Sequence, residues 1–439
     1  MESYFSLKIN YKDSDENLRA LELAARISKN IYNVSLYIIR QEYFKTKKLI
    51  PIGMLYREVR KNNNYKYLNK SISDAAISYA YGCMKTFIAS SNKEKENDFP
   101  RYKGKLSRFQ LSISKPVIQN ENGNKIIIAE IFNHYYMNNL IEGKFINDEL
   151  LEEFVKIANL KKVNDFLIKI PDYISDKEII NIKFKPALMG MGLVFAYKDK
   201  IEYPKTKAQK LLAIDLGVSN LATCVTTDLE SFIIDGKNLK SIIRLYDKNI
   251  ACLNSQLEKD KFISKRIICN IRKKNNRIED YLNKAVKLLF NKVEEMKVDT
   301  IIIGWNENFK QTGIKNDSLA TMTKKRINQM FVGIPLARFR DKIKNKAKRL
   351  GIRVEIVEES YTSKASFFEE DSFNSKNFSG LRIERGLYQR QNGMFINADV
   401  NGALNIYRKY CYSKKTRYKL DEMIKKNKIP DPIRIRVKI

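Results

Sequence analysis

The sequence contains a single histidine, His134, among its 439 residues. Histidine is the most frequent general base in enzymes and the commonest protein ligand of transition metals. One isolated histidine nearly excludes histidine-based catalysis and histidine-rich metal sites. Any metal chemistry in this chain must therefore use carboxylates, which suit Mg²⁺ or Mn²⁺.

Cysteine is also sparse, and the five cysteines lie far apart without any Cys-x-x-Cys pair. An odd and scattered set is typical of reduced thiols, so we expect a cytoplasmic protein. No apolar run approaches the ~20 residues that a membrane-spanning helix needs. Residues 1–15 lack the apolar core of a signal peptide, and we expect no membrane partner.

Acidic residues are too few to balance the basic ones, and the formal net charge is +32. A charge of this size repels itself, so a polyanionic partner is the natural way to offset it. Nucleic acid is the leading candidate. A membrane surface is the alternative, but neither a lipidation signal nor a polybasic anchor beside an apolar segment supports it.

The N-terminal half changes character once. Residues 3–10 alternate like a strand, and residues 15–45 and 71–92 carry the apolar periodicity of amphipathic helices. Short alternating runs over 106–203 then predict a β-rich module, a small barrel, with a helical or irregular insertion around 145–163. The N-terminal strand can join this module, which would make the helices an insert.

The C-terminal half has the element order of an RNase H-like fold. From 210 onward the pattern reads as three strands, a helical region, a strand, a helix, a strand, a polar loop and a helix. The fold class is therefore predicted as α+β with several domains. The predicted domains are a β-barrel (1–13 with 96–205), a helical insert (14–95), an RNase H-like α/β domain (206–410, with an inserted loop at 364–395) and a poorly ordered basic tail (411–439).

Two aspartates stand where such a fold needs acids. Asp215 ends the first strand of the α/β domain, and Asp399 begins its last helix. A turn before Gly217 would explain Asp215 alone, and a helix N-cap would explain Asp399 alone. Together, in this element order, they indicate a site where two metal ions clamp a phosphodiester.

The runs "LLAIDLGVSNLAT", "NNRIEDYLNKA" and "INADVNGALNI" resemble three anchor regions of TnpB, the OrfB family encoded by transposable elements. The resemblance covers residues 200–410 well and the N-terminal half weakly. It implies a RuvC-like, RNA-guided and Mg²⁺- or Mn²⁺-dependent DNA endonuclease of the bacterial cytosol and nucleoid. Asp215 and Asp399 would be its catalytic metal ligands. Its partners would be a guide RNA from the transposon end and double-stranded DNA with a short flanking motif, bound partly by a wedge-like barrel and a helical recognition domain.

The chain departs from that family pattern twice. The strand reading "IIIG" ends in Gly304, where most of the family has the second catalytic glutamate. The family also usually carries a four-cysteine zinc ribbon, but Ala365 and Phe368 stand where cysteines would be expected. Because no cysteine lies between Cys269 and Cys411, we expect no zinc.

The stretch "VEESYTS" offers a replacement acid at the end of the neighbouring strand 352–358. Alternation puts Glu358 on the face of the apolar residues and Glu359 on the polar face. We therefore favour Glu358 narrowly as catalytic residue and metal ligand, and we keep Glu359 as a catalytic candidate. Glu307, just after Gly304, is weaker. If these are merely solvated charges, the nuclease is inactive.

Two basic segments are candidate nucleic-acid surfaces. The denser one lies on a predicted helix, where cations can follow a phosphate backbone. In the other, around 50–70, tyrosine accompanies arginine, as suits stacking on bases or ribose, although core packing explains tyrosines as well. The candidate residues are Lys265, Arg266, Arg272, Lys273, Lys274 and Arg277 in the first segment and Tyr56, Arg57 and Arg60 in the second.

Two other functions remain open at this point. One is a nuclease-inactive, RNA-guided DNA-binding protein, for example a repressor. The other is a transposase that reads DNA through protein contacts alone. A tightly bound RNA of defined sequence would separate the second from the RNA-guided proteins.

Overall fold

The computed structural model describes residues 2–91, 99–121, 123–142, 149–163, 166–188, 190–203, 210–258, 263–306, 334–374, 377–384 and 386–438. The chain divides into two compact units, Met1–Lys200 and Ile201–Ile439. Each unit has its own sheets and helices. Within the described ranges, no helix combines the length and the apolar character needed to cross a membrane.

The first unit joins the N-terminal strand to strands more than 100 residues later. Its strands are β1 (Glu2–Tyr11), β2 (Leu111–Ser114), β3 (Ile118–Glu121), β4 (Asn124–Ala129), β5 (Phe166–Lys169), β6 (Glu178–Pro186) and β7 (Met191–Lys200). Its helices are α1 (Asp15–Thr46), α2 (Ile52–Val59), α3 (Asn63–Tyr67), α4 (Lys70–Ser91), α5 (His134–Ile141) and α6 (Glu149–Ala158).

The predicted barrel is replaced by two open sheets. One sheet has the order β1-β7-β6-β2, and the other has the order β3-β4-β5. Each strand pair in them is antiparallel, and neither sheet closes on itself among the described residues. Alternation identified strands here, but it could not assign partners, which depend on contacts distant in sequence. The helices α1 to α4 lie between β1 and β2 in the chain, as an insert would.

Helix α1 shows why the inserted segment is helical. Ser14 caps the helix, and its side chain accepts a hydrogen bond from the backbone N–H of Asn17 at 3.2 Å. Apolar residues at helical spacing then form a buried stripe that includes Leu21, Ala24 and Ile31. This stripe is the part of α1 that gains stability from packing.

The second unit is built on a six-stranded sheet. The strands of the whole unit are β8 (Leu211–Leu216), β9 (Asn220–Thr226), β10 (Ser231–Asp235), β11 (Thr300–Gly304), β12 (Arg353–Val357), β13 (Leu381–Glu384), β14 (Leu387–Gln389), β15 (Phe395–Asn397) and β16 (Ile433–Ile435). Its helices are α7 (Lys237–Ser255), α8 (Lys265–Glu295), α9 (Leu336–Arg349), α10 (Ala398–Ser413) and α11 (Leu420–Lys426).

The sheet has the order β12-β11-β8-β9-β10-β16, with β8, β11 and β12 parallel. Side chains alternate between its two faces. On β8, Ile214 and its like-facing neighbours pack in the cluster that includes α7, α8 and α9. Leu211 and Ala213 pack in the cluster of α10 instead. By the same alternation, Asp215 belongs to the α10 face.

Two parts of the second unit are more regular than the sequence predicted. The segment 364–395, expected as a polar loop, contains the antiparallel sheet β13-β14-β15. The tail 411–439, expected to be poorly ordered, contains the end of α10, all of α11, and β16, which pairs in parallel with β10. Both segments are rich in charged residues and lack a continuous apolar run. Single apolar residues anchor them in the core instead, such as Tyr388 in the first segment and Val437, only 1% exposed, in the tail.

Candidate active site

Asp215 lies half-buried at the end of β8, under the first turns of α10. Helix α10 approaches closely because residue 402 is glycine. A β-carbon on Gly402 would lie 2.7 Å from Oδ2 of Asp215. Burial, with the nearby charges of Glu359 and Asp399, raises the pKa of Asp215 well above its ordinary value, although Arg382 acts in the opposite direction.

Asp399 stands in the first turn of α10, where a carboxylate is favoured by the helix dipole. The N-cap is the preceding Asn397, whose side chain accepts from the N–H of Asp399 at 3.1 Å. The Asp399 side chain is therefore free of capping. Its Oδ2 accepts from Nδ2 of Asn220 at 2.6 Å, and its Oδ1 accepts from Nη2 of Arg382 at 3.1 Å.

A side chain at position 304 on β11 would compete for space with the carboxylate of Glu359, which follows β12. A β-carbon built on Gly304 would lie 3.2 Å from Oε2 of Glu359 and 2.4 Å from Cδ1 of Ile406. A side chain at 304 would thus collide with α10 and occupy the space of the Glu359 carboxylate. Glycine at this position is what allows Glu359 to reach the α10 face of the sheet.

Glu359 is held at its backbone by the turn that follows β12. Its carbonyl oxygen accepts from Oγ1 of Thr362 at 2.8 Å and from the N–H of Thr362 at 3.2 Å. Burial is the main cause that raises the pKa of this carboxyl to about 7, and the charge of Glu358 adds to it, while Lys409 lowers it. Glu359 and Asp215 both have raised pKa values, as expected for crowded, partly desolvated carboxylates.

The structure places Glu358 apart from Asp215 and Asp399. Its carboxylate is exposed, forms a 2.8 Å ion pair with Nζ of Lys409, and lines a different cavity from Asp215. Although burial alone would raise it, hydrogen bonds from Lys409 and Ser360 leave the pKa of Glu358 lowered. Alternation was read correctly, but the site lies on the α10 face, which Glu359 shares with Val357, and not on the opposite face of Ile356.

Asp215, Glu359 and Asp399 line one cavity of about 590 Å³. Basic side chains also line it, namely Lys237, Arg382 and Arg434. Among the described residues, no three acidic, histidine or cysteine side chains converge into a ready-made ion site. Mg²⁺ needs only one or two protein carboxylates and takes its remaining ligands from water and phosphate oxygens. The all-oxygen set around this cavity fits that requirement.

The segment where a zinc ribbon would be expected is held to α10 by side chains. Nδ2 of Asn401 donates to the carbonyl of Ala365 at 2.8 Å, and Nδ2 of Asn405 donates to the same carbonyl at 2.6 Å. Arg408, fully buried, donates to the carbonyl of Asp371 at 2.8 Å. Ala365 and Phe368, at the two expected cysteine positions, are both buried in the hydrophobic core.

The polar residues of the cavity that sequence reasoning missed include Asn220, Arg382 and Arg434. Arg382 lies in the segment expected as a loop, and Arg434 lies in the segment expected as a poorly ordered tail. Asn220 was visible in the quoted run "DLGVSNLA", but nothing in one sequence connects it to Asp399, 179 residues away.

The basic residues of the denser segment follow the N-terminal half of α8. Lys265, Arg266, Arg272, Lys273 and Arg277 are exposed there. Lys274 differs, because it is half-buried and forms an ion pair with Asp247 of α7. The structure therefore leaves five of the six candidates on the surface and gives the sixth a role in packing α8 against α7. Lys259 and Lys261, which precede these residues in the sequence, and the weak acid candidate Glu307 lie outside the described residues.

The aromatic candidates of the first unit are engaged within it. The hydroxyl of Tyr56 lies 2.6 Å from Oγ of Ser78, and the guanidinium of Arg60 lies 5.5 Å from the Tyr56 ring centre. Arg60 also donates to the hydroxyl of Tyr65 at 3.3 Å. Arg57 is exposed beside Glu58, at 3.9 Å. Of the two arginines, Arg57 has the more exposed side chain.

Comparison with known proteins supports the resemblance found in the sequence. Residues 194–309 match the family OrfB_IS605, described as a probable transposase, and residues 337–406 match the Cas12f1-like TNB domain. A TnpB-like protein, ORF457, of Acidianus two-tailed virus is 22% identical over 418 residues, which cover 89% of this chain and 83% of the relative. The chain is thus similar in sequence to OrfB-type transposases and to a TnpB-like protein.

A solved structure matches most of the chain. The structure of a Cas12f1–sgRNA–target DNA complex aligns with 90% of this chain and 83% of its own, with a TM-score of 0.54 and 16% sequence identity. At that identity the likeness concerns the fold alone. It supports an α+β multidomain fold like that of the Cas12f1 chain.

Proposed function

We propose that this protein is an RNA-guided, divalent-metal-dependent DNA endonuclease of a transposable element, with an RNase H-like (RuvC) nuclease domain in its second unit. The observation that carries the proposal is the cavity shared by Asp215, Glu359 and Asp399. The family that matches residues 194–309 is described as a probable transposase. The resemblance to TnpB makes a nuclease the expected activity. The acid after β12 then offers the third carboxylate that Gly304 does not provide.

The carboxylates and the cations of the cavity have separate roles in this proposal. Asp215, Glu359 and Asp399 would hold Mg²⁺ or Mn²⁺, which supplies charge neutralisation for phosphodiester hydrolysis when bound. Burial is the main cause that raises the pKa values of Asp215 and Glu359, and neighbouring carboxylates add to it; a bound cation would favour the charged form of both groups. Arg382 pairs with Asp399 at 3.1 Å and is placed to approach a phosphate oxygen.

The reaction is hydrolysis of a target-strand phosphodiester. A water oxygen forms a bond to phosphorus as the bond to one sugar oxygen breaks, and that oxygen leaves with a proton. The protein orients the strand and excludes competing geometries. We expect no zinc here, and hydrogen bonds from Asn401, Asn405 and Arg408 hold the segment 362–371 to α10.

The partners follow from charge and from family. The similar Cas12f1 structure is a complex with sgRNA and target DNA. A net charge of +32 suits the same two polyanions here. We propose a guide RNA encoded at the transposon end, a DNA target with a short flanking motif, and the exposed cations of α8 as backbone contacts. The bacterial cytosol and nucleoid would be the compartment.

A nuclease-inactive, RNA-guided DNA-binding protein is the second candidate. Two observations favour it: no three ligands converge among the described residues, and Arg382 already pairs with Asp399. The same cavity would then be a relic, and the protein would act by occupying its target.

Cleavage of a plasmid library tests both candidates. The protein would be co-expressed with its native downstream DNA, and cleavage would be compared in Mg²⁺ and in EDTA, with Asp215→Ala as the inactive control. Guided cutting that EDTA and Asp215→Ala both abolish supports the nuclease. Stable guided binding without cutting in Mg²⁺ or Mn²⁺ contradicts it and favours the DNA-binding protein. Purification without a defined RNA would contradict both.

A further inference from the structure

The C-terminal strand brings an arginine into the cavity. Strand β16 pairs in parallel with β10, with Arg434 opposite Ile233. The segment is fixed at both ends, because Oγ of Ser231 donates to the carbonyl of Pro430 at 3.2 Å and Val437 is buried in the core. Residues 430–437 are thus an integral edge of the sheet that carries Asp215.

Arg434 is anchored by a buried carboxylate. Its Nη1 donates to Oδ1 of Asp235 at 2.7 Å, and Asp235 is only 5% exposed. The other oxygen of Asp235 accepts from the N–H of Lys237 at 3.2 Å. A buried carboxylate requires such partners, so the guanidinium has little freedom to move. The same Nη1 also donates to Oδ1 of Asn220 at 2.8 Å.

This contact decides which way the Asn220 amide faces. A guanidinium has donors and no acceptor, so it must face the carbonyl oxygen of the amide. The NH₂ group then faces Asp399 and donates to its Oδ2 at 2.6 Å. The reverse orientation would set the amide oxygen against a carboxylate oxygen and the NH₂ group against a cation, and both contacts would be repulsive.

We propose that Arg434 is a positioning residue for the active site, and that the C-terminal strand completes the site by fixing Asn220 and, through it, Asp399. This rests on the proposed nuclease function. Asp399 is held from two sides, by Asn220 at Oδ2 and by Arg382 at Oδ1. Loss of the Arg434 contact frees the amide to rotate, and Asp399 loses the bond that orients it for metal.

The test measures Mn²⁺ binding and cleavage in the guide-loaded full-length protein. Arg434→Ala is expected to weaken Mn²⁺ binding, followed by electron paramagnetic resonance of the free ion, by about tenfold or more, as is usual when a partner of a metal ligand is lost. The cleavage rate should fall with it, while DNA affinity stays unchanged. Arg434→Lys keeps the charge and a donor and should recover part of the loss.

Two controls separate positioning from folding. Arg436→Ala removes the same charge two residues along the chain, at an exposed residue outside the cavity, and should leave Mn²⁺ binding unchanged. The pair Arg434→Ala with Asp235→Asn removes the buried charge that Arg434→Ala would otherwise leave unpaired. If this pair melts like the wild type and still binds Mn²⁺ weakly, the defect is not one of folding.

A double-mutant cycle tests whether Arg434 acts through Asn220. Because Arg434 acts through Asn220, Arg434→Ala should have no further effect on Mn²⁺ binding in an Asn220→Ala background. Additive losses, or wild-type Mn²⁺ binding by Arg434→Ala, would overturn the inference and leave the proposed nuclease intact. A wild-type protein that neither binds Mn²⁺ nor cleaves would instead overturn the proposed function, and this inference with it.

Discussion

The carboxylate of Glu359 occupies the space beside Gly304 that a side chain on β11 would need, since Oε2 lies 3.2 Å from the position of a β-carbon on residue 304. The same β-carbon would lie 2.4 Å from Cδ1 of Ile406 on α10. A side chain at position 304 and the carboxylate of Glu359 therefore cannot occupy this space together. The helix that carries Asp399 seals that volume.

Gly304→Ala should destabilise the protein for this reason. The added methyl group must push Ile406 aside, and overpacking of a core typically costs about 1–3 kcal/mol of the free energy of unfolding. Ile406→Ala removes the clashing atoms. Gly304→Ala should therefore lower the free energy of unfolding less in an Ile406→Ala background than in the wild-type protein. Thermal unfolding of the three variants measures this. Equal losses for Gly304→Ala in both backgrounds would contradict the contact.

Gly402→Ala should separate stability from activity. The new β-carbon would lie 2.7 Å from Oδ2 of Asp215, so the carboxylate must move, while alanine favours the helix by about 1 kcal/mol over glycine. We expect DNA cleavage to fall at least about tenfold without a matching loss of thermal stability. Gly82→Ala in α4, where nothing lies within 4 Å of the new β-carbon, is the control and should only stabilise. Unchanged cleavage by Gly402→Ala would show that Asp215 is not held where the structure has it.

Glu359 should make the metal-free protein less stable as the pH rises. The folded protein keeps a proton on this carboxyl up to a pKa of about 7, whereas the ordinary value is 4.5. Between these two values the folded state binds more protons than the unfolded state. The free energy of unfolding therefore falls as the pH rises through this window, by at most about 3 kcal/mol. Asp215, whose pKa is also raised, contributes with the same sign.

Denaturant melts in EDTA over this pH range measure the effect. Glu359→Gln should flatten the pH dependence, and Glu358→Gln should not, because the pKa of Glu358 is lowered by Lys409 and Ser360. An unchanged or steeper decline with pH in Glu359→Gln would show that burial does not raise the pKa of the Glu359 carboxyl.

The exposed cations of α8 should set the salt dependence of nucleic-acid binding. Each phosphate contact removed lowers the slope of log affinity against log salt by about 0.7 to 0.9. Replacing Arg272, Lys273 and Arg277 with alanine should reduce that slope and weaken binding to all sequences alike. Lys274→Met should instead lower thermal stability, because Lys274 pairs with Asp247. An unchanged slope in the triple variant would remove α8 from the nucleic-acid surface.

Sequence reasoning succeeded where a local pattern has a local cause. The buried strands β8 and β11, the paired helices α7 and α8, and the helix that begins beside Asp399 follow from apolar periodicity and capping. It could not place Glu358 and Glu359 relative to Asp215 and Asp399. Alternation gives the relative orientation of neighbours, but which face holds the site depends on where α10 packs, and that is a tertiary property.

The segment containing Arg382 and the tail containing Arg434 were misjudged for a related reason. Both are short strands that contain charged residues, and neither shows the continuous apolar run that predicts a strand. Strand β13 pairs with its neighbour β14, whereas β16 pairs with the distant β10. The polar residues that surround the acids were missed together with the strands that carry them. Pairwise contacts such as Asn220 with Asp399 have no signature in a single sequence.

The most direct test of the account compares Glu359→Gln with Glu358→Gln in guided DNA cleavage. Both substitutions are isosteric and remove one charge, and only Glu359 lines the cavity of Asp215 and Asp399. Single-turnover cleavage in Mg²⁺ should fall by about a hundredfold or more in Glu359→Gln, as expected for a lost metal ligand, and should stay within about threefold of wild type in Glu358→Gln. Loss of cleavage in Glu358→Gln with full activity in Glu359→Gln would contradict the account at its centre.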